Sequence, residues 1–349
     1  MRSRGGATLV GFGFGAIQAG LFGLEAQASG AFGRIVVAEV VPEMVAALRR
    51  AGGVYAVNVA HADRCETVQV GPIQIENPAV DADRGRLVQA IAAAQEIATA
   101  VPSVDAYTVP GPASLQRILA EGLCRKVATN GPRAVVYAAE NHPQAAALLQ
   151  AAVLEAVPED VRTAVAAQVR FVDTVIAKMS GVIAPPGDLT PVTPDSARAF
   201  LVESFNHILI GRVDFGPAAP FGRGLAVFEE KNDLRPFEAA KLYGHNAVHA
   251  LAAYVGLWLG LAQITQLREL PGALAFLRAA LVEESGAALM RKYDGVDPFF
   301  TPAAFARFAD DLLARMVNPF LRDTTARVGR DPARKLGWDD RLVGAMRLA

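Results

Sequence analysis

Lys241, Asn246 and His249 stand within the segment Pro236–Leu257, with four residues and then two between them. An amine, a carboxamide and an imidazole form a set with a chemical use. The amine takes a proton, the amide N–H faces an oxygen gaining negative charge, and the imidazole holds a hydroxyl. A free lysine, with a pKa near ~10.4, holds its proton too tightly for the first task. Burial would loosen it by disfavouring the charged form. On a regular helix at about 100° per residue the three side chains fall at about 0°, 140° and 80°, which is one broad face.

Such a set needs elements to carry it and a second reactant to meet it. The segment Val10–Leu21, VGFGFGAIQAGL, lies between a predicted strand, 7–12, and a predicted helix reaching roughly Ala28. Small residues there let the backbone turn tightly and approach a pyrophosphate, which would rest on the helix N-terminus. Gly13 and Gly15 are read as the first two glycines of a G-x-G-x-x-G turn, with Gln18 in the third place. Shifted by one step, Gly11-x-Gly13-x-x-Ala16 also fits. Glu39 closes the second predicted strand, 34–39, and can accept from both ribose hydroxyls while repelling a 2′-phosphate. Val40 and Val41 follow it, with no arginine, so NAD is expected over NADP. The alternative for Glu39 is a solvated strand end. Pro110-Gly111 closes a third predicted strand, 104–109, where the chain would pass near the nicotinamide; the alternative is an ordinary turn.

The rest of the chain supports a two-part organisation. Predicted helices at 42–51, 84–98 and 113–123 alternate with strands, including 134–139, and 55–75 alternates as in an antiparallel excursion. After Arg235 the pattern is helical to the end, broken near Pro271, Pro298 and Pro332. The expected fold is therefore α/β. A Rossmann-type, mainly parallel sheet domain over 1–230 would be followed by a mostly α-helical domain over 231–349.

Composition excludes several classes. Of 349 residues, 52% are hydrophobic and 20% charged, enough for a sizeable core. A formal net charge of -1 gives no basic excess for nucleic acid. Cys65 and Cys124 are the only cysteines and have no C-x-x-C spacing, so neither a disulfide framework nor a cysteine zinc site is expected. His61, His142, His207 and His245 form no spaced ligand set, and no metal is expected. The apolar run 247–264 falls just short of the ~20 residues of a comfortable membrane span and reads as a buried helix. Arg2 and Arg4, the apolar stretch after them and Ala26-Gln27-Ala28 allow a signal peptide as a rival reading. Glycines interrupting that stretch favour the nucleotide turn, hence a cytoplasmic protein.

The lysine segment, PFEAAKLYGHNAVHALAAYVGL, resembles the polyol-specific long-chain dehydrogenases of the mannitol dehydrogenase family. Their signature is Lys, four residues, Asn, two residues, His. The resemblance is closest to the mannitol-1-phosphate 5-dehydrogenase branch. It extends to the ending NPFLRDTTARVGRDPARKLGWDDRL, Asn318–Leu342, to Glu140-Asn141 and to Phe171-Val172-Asp173. It implies interconversion of mannitol 1-phosphate and fructose 6-phosphate. Lys241 would be the general base, Asn246 the donor to the alkoxide, and His249 the holder of a neighbouring hydroxyl. It also implies Asn141 beside the cofactor, and Asp173, Arg327 and Lys335 as substrate contacts. Arg330 and Arg334 are extra charges nearby, suited to a phosphate or else part of a solvated charge run. The chain departs from the pattern at Gln18, where a glycine is usual, and at Ala177-Lys178, where the branch has Asp-Arg. Free-mannitol dehydrogenases carry an oxyanion-binding Asn where Asp173 stands. The other readings are a dehydrogenase of an unphosphorylated polyol or hexuronate, and a non-catalytic NAD-binding protein. The partner would be a small sugar alcohol or sugar phosphate, bound by a monomer or homodimer, with no membrane.

Overall fold

The computed structural model describes residues 6–216 and 220–349; Met1–Arg4, which enter the signal-peptide reading, lie outside them. The chain forms two compact units, one of residues up to Val59 with Cys65–Leu234, the other of Ala60–Arg64 with Arg235–Ala349.

The first unit begins with β1 (Ala7–Phe12). A glycine turn follows, then one helical rod whose middle, Gln18–Gly23, is a π turn and whose end is α1 (Leu24–Ser29). After it come β2 (Phe32–Ala38), α2 (Pro42–Arg50), β3 (Tyr55–Ala60), β4 (Cys65–Val70), β5 (Gln74–Glu76), α3 (Asp81–Ala93) and β6 (Glu96–Thr99). Then follow α4 (Leu115–Ala128), β7 (Ala134–Ala138), α5 (Ala145–Ala156), α6 (Glu159–Gln168), β8 (Val169–Val175), β9 (Ser180–Ile183), β10 (Ala199–Glu203), β11 (Ile208–Gly211) and β12 (Phe228–Lys231). The main sheet runs β12-β11-β8-β7-β6-β1-β2-β5. From β8 to β5 its neighbours are parallel; β11 lies antiparallel to β8. Read from β5, the six parallel strands have the doubly wound order 3-2-1-4-5-6, and the order reverses between β1 and β6. A smaller sheet, β4-β3-β10-β9, accounts for the alternating excursion.

Alternation along β1 divides the core between the two faces of the main sheet. Val10 and Phe12 pack with Leu87, Ile91, Ile118, Leu119 and Leu149 of α3, α4 and α5. Leu9 packs with Leu21 and Phe22 of the π turn and with Tyr137 and Phe228. Strands covered on both faces read as continuous apolar runs, as these do.

Two sequence expectations fail here, and they are linked. Helix α3 stops at Ala93, and Glu96–Thr99, read as its continuation to Ala98, is the central strand β6. Residues 104–109, read as that strand, form a 3-10 turn over Val104–Thr108. The stretch AIAAAQEIATA has no period that separates a short buried strand from a buried helix. Pairing with β1 on one side and β7 on the other decides the matter.

The second unit is helical: α7 (Arg235–Ala239), a π turn over Ala240–His245, α8 (Asn246–Trp258), α9 (Ala273–Ala279), α10 (Ala287–Lys292), α11 (Pro302–Met316), α12 (Thr325–Gly329), α13 (Pro332–Lys335) and α14 (Val343–Leu348). The apolar run 247–264 starts in α8, buried at Ala247, Val248, Ala250 and Ala253, but is interrupted where that helix ends, at the exposed Leu257, Trp258 and Leu259. No helix among the described residues is long and apolar enough to cross a membrane.

Candidate active site

In the first unit the glycine turn leaves β1 beside the point where the strand order reverses. Gly13 sits at φ 82°. A Cβ on it would lie 2.8 Å from the Ala100 carbonyl oxygen, at the end of β6. Glycine is the residue that tolerates both conditions. A Cβ on Gly15 would meet nothing within 4 Å, so the space in front of it is open. The Ala19 N–H bonds the Gly15 carbonyl at 2.9 Å, which starts the helix there. Glu39 is buried, and its carboxylate accepts from the Phe14 N–H at 2.8 Å and from the Val41 N–H at 2.8 Å. A carboxylate has about four acceptor positions, so two remain for hydroxyls. An open cradle before a helix start, beside a fixed carboxylate, is a donor set that fits a dinucleotide.

Gly11 does not belong to this cradle. It pairs with Val37 and Ala98 inside the sheet, and a Cβ on it would lie 2.2 Å from Gln18 Nε2. Gly11 gives room to the Gln18 side chain, so the turn is read from Gly13 and Gly15. Gln18 is 1% exposed, and neither end of its amide has a hydrogen-bond partner. Pro110 and Gly111 are exposed and follow the 3-10 turn rather than a strand, which removes the reason for placing them at the cofactor. The chain leaves the C-terminal end of β6 through residues 99–101. There the Glu140 carboxylate accepts from Thr99 Oγ1 at 2.8 Å, from the Val101 N–H at 2.9 Å and from the Tyr107 hydroxyl. Burial raises the Glu140 pKa, and these hydrogen bonds oppose the rise. Asn141, next to it, is exposed. Asp173, on β8, accepts from the Ala146 N–H at 2.7 Å in the first turn of α5. Lys178 is buried, donating to the Phe205 carbonyl at 2.9 Å and to Asn206 Oδ1 at 2.5 Å, so that departure is absorbed by packing.

In the second unit the lysine segment is not a regular helix. Ala240–His245 is a π turn, and the Asn246 N–H bonds the Lys241 carbonyl, five residues back. Asn246 therefore sits one full turn beyond Lys241 and on the same side, not at the 140° of uniform winding. His249 follows three residues on in α8, adjacent on that side. The π turn thus brings the three positions to one side of the helical rod. Burial pulls the Lys241 pKa down to about 8; the Glu238 carboxylate opposes this and the Arg341 guanidinium adds to it. His245 is buried beside His249, their ring centroids 6.2 Å apart, and burial holds it well below its ordinary pKa.

Helix α12 packs against α8 through Thr325, whose Cγ2 would lie 2.6 Å from a Cβ on Gly256. Just before α12, the Asp323 carboxylate faces His249 through Oδ2 and pairs with Arg327 through Oδ1. Lys335 is 4% exposed and turns its ammonium onto the carbonyls of Val328 and Arg330, at the end of α12. Arg334 pairs with Asp331 at 2.7 Å, and Arg330 is exposed. Sequence reading missed Asp323 and Arg341. Asp323 is one acidic residue in a loop, and Arg341 enters through its field at Lys241, His245 and Lys335. Among the described residues, no three His, Cys, Asp or Glu side chains form a group that could hold a metal ion.

Residues 7–217 match the model of the mannitol dehydrogenase Rossmann domain, and 233–349 match that of the mannitol dehydrogenase C-terminal domain. The chain belongs to the mannitol dehydrogenase family. Among the family's characterised members, a mannitol-1-phosphate 5-dehydrogenase of Bacillus licheniformis is 31% identical over 299 residues, 84% of this chain and 71% of the relative. Two solved structures share the fold. A substrate-free D-sorbitol dehydrogenase aligns with a TM-score of 0.78 at 13% identity, covering 98% of this chain and 76% of that one. A Pseudomonas fluorescens mannitol 2-dehydrogenase, solved with NAD and D-mannitol, aligns with a TM-score of 0.68 at 16% identity, covering 93% and 72%. The protein is thus a mannitol dehydrogenase family oxidoreductase, with the Rossmann-type sheet and helical second unit expected of it.

Proposed function

We propose that the protein interconverts mannitol 1-phosphate and fructose 6-phosphate with NAD, and that Lys241 carries the proton. The observation behind this reading is the π turn that puts positions 241, 246 and 249 on one side of the helical rod while burial lowers the lysine pKa to about 8. The relative from Bacillus licheniformis, named a mannitol-1-phosphate 5-dehydrogenase, supports the substrate class. A nicotinamide dinucleotide held at the Gly13–Gly15 turn and Glu39 would supply the hydride acceptor. Lys241 Nζ removes the hydroxyl proton, the Asn246 side-chain amide donates to the oxygen as it gains charge, and His249 holds the next hydroxyl. In the reverse direction the ammonium of Lys241 returns the proton.

Glu39 supports NAD over NADP, since a 2′-phosphate would meet its buried carboxylate. The expected result is a kcat/KM for NADH at least about tenfold above that for NADPH, the effect of one unfavourable charge contact. The reverse preference would remove Glu39 from the ribose site.

A second reading, an unphosphorylated polyol, has its own observation. Lys335 is committed to backbone carbonyls and Arg334 to Asp331, so Arg330 is the cation of that loop left for a phosphate. A screen of NADH oxidation with fructose 6-phosphate, fructose and hexuronates separates the two. Under the phosphate reading, Arg330→Ala raises KM for fructose 6-phosphate roughly ten- to hundredfold and leaves fructose unchanged, the effect of one charge-assisted hydrogen bond. Equal effects on both substrates would make the arginine structural.

A further inference from the structure

Within the second unit, two buried polar atoms without a hydrogen bond belong to facing side chains: His249 Nε2 and Asp323 Oδ2. They lie 3.2 Å apart, with the His249 side chain 15% and the Asp323 side chain 7% exposed. A buried carboxylate oxygen left without a donor is costly, and so is a buried ring nitrogen. Each is the other's available partner; the distance is right and the alignment of the ring N–H falls short. Such bonds often tighten only when the reactant is in place.

The surroundings fix the carboxylate rather than the ring. The Asp323 carbonyl accepts from the Ile264 N–H at 2.9 Å, and the neighbouring Thr324 pairs with Gln263 as an antiparallel bridge. Thr324 Oγ1 caps α12 by accepting from the Arg327 N–H at 3.1 Å, and the Arg327 guanidinium holds Oδ1. The Oδ2 atom is therefore presented to α8 from a pinned backbone and a clamped carboxyl group.

We propose that Asp323 is a positioning residue that holds His249 with its proton on Nε2 and so makes Nδ1 a hydrogen-bond acceptor for a substrate hydroxyl. The inference rests on His249 being a substrate contact, as proposed above. A carboxylate can only accept, so it selects the tautomer with the proton facing it, and the other nitrogen is left bare. The same carboxylate ties Arg327 to the histidine, so two groups that would meet the substrate share one anchor.

The test is nitrogen-15 NMR of the full chain labelled at histidine, recorded above the ordinary imidazole titration range. The His249 signals are identified by their loss in His249→Gln. The expected spectrum shows His249 protonated at Nε2; a proton on Nδ1 in the wild-type protein overturns the proposal, whatever any variant does. Asp323→Asn keeps the shape but offers a donor as well, so it should populate the other tautomer. It should also lower kcat about tenfold or more, with KM for NADH unchanged. An unshifted tautomer with unchanged kcat in this variant also overturns the proposal. The functional reading fails separately: a His249→Gln variant with full turnover removes His249 from the chemistry, and no turnover of any polyol or ketose removes the substrate class. Neither result alters the spectrum.

Discussion

Lys241→Ala should lower kcat by about 100-fold or more in both directions, the scale of general acid–base catalysis, while NADH still binds and the protein stays folded. The alanine has no group to exchange the proton. The pH profile of the unsubstituted protein sharpens the expectation. Polyol oxidation needs the neutral amine, so kcat should rise as pH passes upward through about 8, the pKa to which burial brings Lys241, and then level off. Ketose reduction needs the ammonium, so it should fall over the same interval. Lys241→Ala should lose that inflection. Near-normal kcat in the variant would sink the assignment, and so would an oxidation profile falling through this range in the unsubstituted protein.

Gly13→Val should cost about 2–4 kcal/mol of stability, combining backbone strain with overpacking. A β-branched residue at φ 82° is a genuine outlier, and its Cβ would press on the Ala100 carbonyl oxygen at 2.8 Å. The melting temperature should fall by roughly 5–15 °C, and NADH binding should be lost with the shape of the turn. Gly15→Ala separates the site from the fold. Its Cβ has nothing within 4 Å in the protein, so the melting temperature should stay put while NADH affinity drops about tenfold. Unchanged affinity in Gly15→Ala would mean that no ligand approaches that backbone. Calorimetry and fluorescence titration read the two effects independently.

The sequence made part of this legible for identifiable reasons. β1, its glycine turn and Glu39 stood out because an apolar run, small residues and an acidic strand end occur in that order within one short stretch. β6 stayed hidden, since the four residues EIAT after an alanine-rich helix have no distinguishing period, and only two flanking strands turn them into a strand. Lys241, Asn246 and His249 could be named from their spacing and placed on one broad face, but the winding between them could not, because a uniform angle misplaces Asn246 across a π turn. Asp323 left no local signal: its partners are Arg327, four residues on, and His249 in a distant helix.

The pairing of Gly11 with Gln18 bears on how this turn tolerates change. The amide occupies the volume that a side chain on β1 would fill, so the two positions are coupled. A larger residue at 11 must displace the end of the glutamine side chain, and a glycine at 18 on its own leaves an empty space against the strand.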